Sequence, residues 1–225
     1  MSSPINTPPP VVSLKAIVLD IEGTCCPLSF VHDVLFPYAL DNAVSFFSKR
    51  LSNQETSPLL FEEAMKFHTE KNRKIKCLKD LQSAIWEEGW NDGSLKSPIY
   101  ADVVTSLNLW TSLSLKIYIY SSGSRPSQSK FFTHTTSGDL TRLISGFFDT
   151  ECGYKNCKDS YVNIRKTLGC EAREIVFITD VVEEGKAAEE DGWGVRISIR
   201  EGNIPISEDH GFATLTDFTK CDLNP

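Results

Sequence analysis

Three short, unbroken apolar runs constrain this chain most: Ala16-Ile17-Val18-Leu19, Ile117-Tyr118-Ile119-Tyr120 and Ile175-Val176-Phe177-Ile178. A continuous run this short reads as a strand buried on both faces, because alternation is expected only where one face meets water. A fourth, weaker run is Val195-Arg196-Ile197-Ser198-Ile199. Helix-like amphipathic stretches lie between them, at 159–168 ended by Gly169 and at 183–190 ended by Asp191-Gly192. Strands alternating with helices predict an α/β fold with a parallel sheet covered by helices.

Residues 30–100 interrupt this alternation with helical patterns at 34–51, 58–70 and 75–88. A structureless loop of that length does not suit a compact domain. The expected organisation is therefore a flexible Ser/Pro-rich tail (1–13), a core formed by 14–29 and 101–225, and a helical cap insertion (30–100). The size, 225 residues, suits one domain with such an insertion.

Composition excludes several classes. A net charge of −7 disfavours a protein that grips the nucleic-acid backbone. No apolar stretch reaches the roughly 18 residues of a membrane span. The head lacks the basic and apolar regions of a signal peptide. Seven cysteines, an odd count, and no Asn-x-Ser/Thr sequon favour free thiols in a reducing compartment. Cys152 and Cys157 lack the further ligands a zinc site needs.

The ends of the apolar runs carry the chemistry. Asp20-Ile21-Glu22-Gly23-Thr24 follows the first, Ser121-Ser122-Gly123-Ser124 the second, and Thr179-Asp180-Val181-Val182-Glu183-Glu184 the third. Lys155 lies between the second and third. Each segment alone has an ordinary explanation: a capping residue, a solvated lysine, or acids in a helix's first turn. Together they bring carboxylates, hydroxyls and an ammonium to the carboxyl end of one parallel sheet, where such folds bind ligands. Converging carboxylates repel unless a cation separates them. Hard oxygen donors with open positions suit Mg²⁺. The set reads as a phosphoryl-transfer centre.

This order of motifs resembles the haloacid dehalogenase-like superfamily. Glu at the second acidic position of Leu19-Asp20-Ile21-Glu22-Gly23-Thr24 makes it similar, within that superfamily, to the enolase-phosphatase E1 family of methionine salvage. So do Val34-Leu35-Phe36-Pro37-Tyr38, Tyr120-Ser121-Ser122-Gly123-Ser124, Gly146-Phe147-Phe148-Asp149-Thr150 and Arg200-Glu201-Gly202-Asn203. The resemblance implies a Rossmannoid parallel sheet core with a helical cap inserted after the first strand. It implies Asp20 as nucleophile and Glu22 as acid and base. Ser121, Ser122 and Lys155 would bind the substrate phosphate. One Mg²⁺ would be held by Asp20, the Glu22 backbone carbonyl and Asp180, supported by Glu184 and Thr24. Enolisation and then dephosphorylation of a diketo phosphate ester would follow, with Phe30, Phe36, Trp86 and Trp90 as candidate contacts for its apolar tail. The expected partner is a small-molecule phosphate ester, with no nucleic acid and no membrane. The expected state is a cytoplasmic monomer, with the nucleus as a second location. A phosphatase of the same superfamily for another small ester would share this fold and site.

Overall fold

The computed structural model describes residues 13–50, 58–71 and 76–222. Nearly all of the expected tail thus lies outside the described residues. Six parallel strands form one sheet: β1 (Ala16–Leu19), β2 (Lys116–Tyr120), β3 (Gly146–Phe148), β4 (Ile175–Thr179), β5 (Gly194–Ser198) and β6 (Ala213–Leu215). Their order is β3-β2-β1-β4-β5-β6. The central strand β1 pairs with β2 through Ala16–Lys116 to Leu19–Ile119, and with β4 through Ala16–Ile175 to Leu19–Ile178. The chain leaves β1 for both sides of the sheet, so the ends of β1, β2 and β4 meet at the point where strand order reverses.

The sheet separates two cores. Ile17, Leu19, Ile117, Ile119, Val176 and Ile178 face one, with Trp110, Phe132 and Phe218. Ala16, Val18, Tyr120, Phe177 and Ile197 face the other, with Tyr161 and Trp193. This strict alternation of two apolar faces explains why the first strand reads as an unbroken run. The strands absent from the sequence reading, β3 and β6, have three residues each, too few to display a period.

Between β1 and β2 the chain is helical. A wide-turned segment, Val31–Leu35, leads into α1 (Phe36–Arg50), followed by α2 (Pro58–Glu70), α3 (Lys76–Asp92) and α4 (Ala101–Ser112). The first three share a small core of Ala39, Ala43, Phe46, Met65, Leu78 and Ile85. The third runs past the expected end at residue 88 and carries Trp90 into the sheet-side core. After β2 come α5 (Arg125–Thr133), α6 (Lys158–Leu168) and α7 (Val182–Glu189). Helix α3 meets α5 through Ser127 Oγ donating to Ser83 Oγ at 2.8 Å and Lys130 Nζ donating to Asn91 Oδ1 at 3.0 Å. No helix among the described residues is long and apolar enough to cross a membrane. All seven cysteines carry free thiols.

Candidate active site

Asp20 extends β1 by one residue, its N–H donating to Ile178 O at 2.9 Å. Its Oδ1 accepts from Ile21 N at 2.7 Å, which fixes the carboxylate at the strand end. The chain then folds over itself: Ile21 O accepts from the N–H groups of Thr24, Cys25 and Cys26. Gly23 makes this turn in the left-handed region, at φ 65°, and a Cβ there would collide with the Asp180 carboxylate. Both facts require glycine.

The end of β2 is held differently. Ser121 N donates to Phe148 O at 3.2 Å, and Ser121 is buried while Ser122 is exposed. Ser124 caps α5, accepting from Ser127 N at 3.4 Å. Gln128, buried one turn into α5, donates to Gly123 O at 2.7 Å and Phe148 O at 2.8 Å, pinning the serine loop to the sheet.

Lys155 arrives on a turn tied at three carbonyls. Tyr120 Oη donates to Gly153 O, Ser160 Oγ to Tyr154 O, and Tyr161 Oη to Lys155 O. The turn delivers its ammonium to Asp20 Oδ1 at 2.7 Å and Glu184 Oε2 at 2.6 Å. Thr179 gives its single proton to Glu184 Oε2 at 2.7 Å, with Asp20 Oδ2 farther off at 3.5 Å. Burial opposes the charge on Lys155, but the carboxylates of Asp20 and Glu184 outweigh it and hold the ammonium well above the usual lysine range. Burial, reinforced by the Asp20 charge, pushes Glu22 up to about 7. Burial and the charges of Asp20 and Glu184 push Asp180 up to about 7.

The surroundings of Asp180 test whether a cation fits. Asn203 Nδ2 donates to Gly23 O at 2.9 Å and to Ser198 O at 3.3 Å, so the amide orientation is set by two acceptors. Among the described residues its Oδ1 is buried without a partner, on the side of Gly23 that the Asp180 carboxylate occupies. Two acceptor oxygens facing each other suit a cation or its waters between them. No group of three His, Cys, Asp or Glu side chains forms a metal cage among the described residues. The Asp180 carboxylate and the Asn203 amide oxygen beside the Gly23 turn fit Mg²⁺, which needs only one or two carboxylates and keeps several waters.

The sequence-predicted residues Asp20, Lys155 and Glu184 are in direct contact, and Asp180 lies against the turn that carries Glu22. Thr24 is fully buried, its hydroxyl without a partner among the described residues. Glu22, Ser121 and Ser122 line a cavity of about 320 Å³ whose other wall includes Phe36, Trp86, Trp90 and Phe131. Phe30 instead packs edge-on against Phe131, with ring centroids 6.1 Å apart. His32 and His68 also line the cavity. Lys79 and Gln128 escaped the sequence reading, which named Asn203 only within the motif Arg200-Glu201-Gly202-Asn203. Helical spacing signals the first, which sits three and seven residues before the cavity-lining Gln82 and Trp86.

Comparison with known proteins follows the same lines. Residues 14–190 match the haloacid dehalogenase-like hydrolase family. Enolase-phosphatase E1 of Aquifex aeolicus (strain VF5) is 40% identical, covering 93% of this chain and 100% of that protein. Enolase-phosphatase E1 of Drosophila mojavensis is 35% identical, covering 88% and 90%. A probable bifunctional methylthioribulose-1-phosphate dehydratase/enolase-phosphatase E1 of Arabidopsis thaliana is 40% identical over 91% of this chain, which spans only 47% of that longer protein. The crystal structure of the UTR4 protein of Saccharomyces cerevisiae superposes with a TM-score of 0.82 at 28% identity, covering 93% of this chain and 100% of that one.

Proposed function

Because the chain belongs to the haloacid dehalogenase-like hydrolases, and within them to the enolase-phosphatase E1 family, we propose that it enolises 2,3-diketo-5-methylthiopentyl-1-phosphate. It then dephosphorylates the enol to the acireductone 1,2-dihydroxy-3-keto-5-methylthiopentene. The observation that carries this reading is the buried Asp20 carboxylate, fixed by Ile21 N and Lys155 at the strand end that also presents Glu22.

In the phosphatase step Asp20 attacks phosphorus in line, the bond from phosphorus to the C1 oxygen breaks, and an aspartyl-phosphate forms. Glu22, poised near neutrality, gives its proton to the departing oxygen and takes one from the water that cleaves the acyl phosphate. Ser121 and Ser122 hold the phosphate oxygens, and Lys155 offsets their charge. Mg²⁺, one per subunit, would be held by Asp20, the Glu22 carbonyl and Asp180, and supplies Lewis-acid charge neutralisation. Glu184 fixes Lys155, and Thr24 supports the turn. Residues 30–100 act as a cap that excludes water and encloses the methylthio tail. The chain acts as a monomer on this small ester, in the cytoplasm and also the nucleus, without nucleic acid or membrane.

Incubation with the diketo phosphate and Mg²⁺, following enol absorbance and inorganic phosphate together, tests the reading. Both signals should rise, the enol first, and chelation should stop phosphate release. Phosphate release without any enol signal would instead leave a phosphatase of the same superfamily for another ester.

A further inference from the structure

We propose that Arg200 is a positioning residue of the metal site. Its guanidinium, fixed to Asp102 at the start of α4, anchors the turn that sets Asn203 against Gly23 and Asp180. The proposal rests on the Mg²⁺ reading above and is independent of which phosphate ester is the substrate. Arg200 acts through Asn203, as an anchor rather than as a ligand.

The Arg200 side chain is only 7% exposed. Its Nη2 donates to Asp102 Oδ2 at 2.8 Å, and its Nη1 to Thr216 O at 3.1 Å. The guanidinium carbon stands over the rings of Tyr100 and Phe218, 4.4 and 4.7 Å from their centroids. Stacking on aromatic faces while donating in plane is a guanidinium's own geometry, which an ammonium does not reproduce. The same Asp102 Oδ2 accepts from Phe218 N at 2.7 Å. Three distant stretches of the chain, at 100–102, 200 and 216–218, thus close on one buried cation.

From that anchor the backbone turns back toward the catalytic strand end. Asn203 N donates to Arg200 O at 3.1 Å, closing a four-residue turn whose third position, Gly202, sits at φ 85°. The turn delivers the Asn203 amide, with Nδ2 donating to Gly23 O at 2.9 Å and Ser198 O at 3.3 Å. A Cβ on Gly23 would meet both the Asp180 carboxylate and Asn203 Oδ1, so the three residues converge at one point. Tyr100, one of the rings under the guanidinium, makes a second tie to the same loop, its N–H donating to Cys25 O at 3.1 Å. Arg200 therefore supports the Glu22-Gly23 turn from two directions. Mg²⁺ demands a near-ideal octahedral shell. A residue that holds the groups around it changes affinity without touching the ion.

The test titrates Mg²⁺ calorimetrically into the full chain, with thermal melting as the check of folding. Arg200→Met, Arg200→Lys, Asn203→Leu and the double variant Arg200→Met/Asn203→Leu are compared with wild type. Arg200→Met should weaken Mg²⁺ binding by about 10-fold. Arg200→Lys keeps a cation for Asp102 but not the stacked, two-armed geometry, and should recover part of that loss. The double variant should bind Mg²⁺ within about threefold of Asn203→Leu alone, since two changes on one route do not add. If Arg200→Met does not melt cooperatively, Arg200→Met combined with Asp102→Asn, which strands no buried charge, takes its place with the same expectations. Affinity within about threefold of wild type in the folded variant would overturn the proposal. So would losses that multiply in the double variant, or Asn203→Leu binding as tightly as wild type. Wild type that takes up no Mg²⁺ would instead overturn the metal reading, and this proposal with it.

Discussion

Lys155 Nζ lies 2.7 Å from Asp20 Oδ1 and 2.6 Å from Glu184 Oε2, a single ammonium between two buried carboxylates that come from opposite ends of the chain. Removing it leaves those carboxylates facing each other in a poorly solvated site. Lys155→Met should therefore lower stability by about 3–5 kcal/mol, the cost of uncompensated buried charge, and should also depress phosphate release. Urea denaturation of the two proteins measures the first effect. Coincident midpoints would show that the pair is not what holds these strand ends together.

The nucleophile assignment has a sharper test. Asn at position 20 keeps the shape and can still accept from Ile21 N, but an amide does not attack phosphorus. Asp20→Asn should cut phosphate release on the order of 10⁴-fold or more while remaining folded by thermal melting. Mass spectrometry of acid-quenched wild type should show a phosphoryl adduct that the variant lacks. Matching rates would move the nucleophile elsewhere.

The fold was legible where burial was total. β1 lies between two cores, so every residue of Ala16–Leu19 had to be apolar, and the run announced itself. The polar strand ends were legible for the complementary reason, since Asp20, Ser121 and Asp180 interrupt apolar runs abruptly. Edge strands β3 and β6 were not, being too short for a pattern. Site residues fixed by distant partners were also hidden. Asn203 stands out in sequence only as part of Arg200-Glu201-Gly202-Asn203, and its partner Gly23 lies 180 positions earlier. Gln128 looks like any polar helical residue until its three carbonyl acceptors are seen.

Asn203 yields a metal-binding prediction. Its Nδ2 is committed to Gly23 O and Ser198 O, and its Oδ1, without a partner among the described residues, lies on the Asp180 side. Outer groups of this kind orient ligands and metal-bound waters, and their loss commonly weakens metal affinity by roughly 10–100-fold. Asn203→Leu should weaken Mg²⁺ binding by about that factor in calorimetric titration of the full chain, and should shrink the thermal stabilisation that Mg²⁺ gives. Unchanged affinity would reduce Asn203 to a loop tie.

A pH-dependent contribution to stability sits far from the site, between α6 and the turn before β5. Arg165 grips Asp191 with both arms, Nε to Oδ2 at 2.6 Å and Nη2 to Oδ1 at 3.1 Å, and Trp193 Nε1 adds a third donor at 3.0 Å. Burial favours the neutral acid, but these donors outweigh it and hold the Asp191 carboxyl below the usual carboxylate range. A folded-state pKa below the unfolded one means stability that is fully present above the unfolded value, about 3.9, and is lost as pH falls through the folded value. Asp191→Asn should thus cost about 1–3 kcal/mol at neutral pH, the loss of charge-assisted bonds to a guanidinium. The gap from wild type should narrow steadily below about pH 4. Chemical denaturation at neutral pH and at about pH 3 decides the matter. A gap that stays constant across that range would show that the carboxylate's charge plays no part, leaving packing of the side chain as the source of the loss.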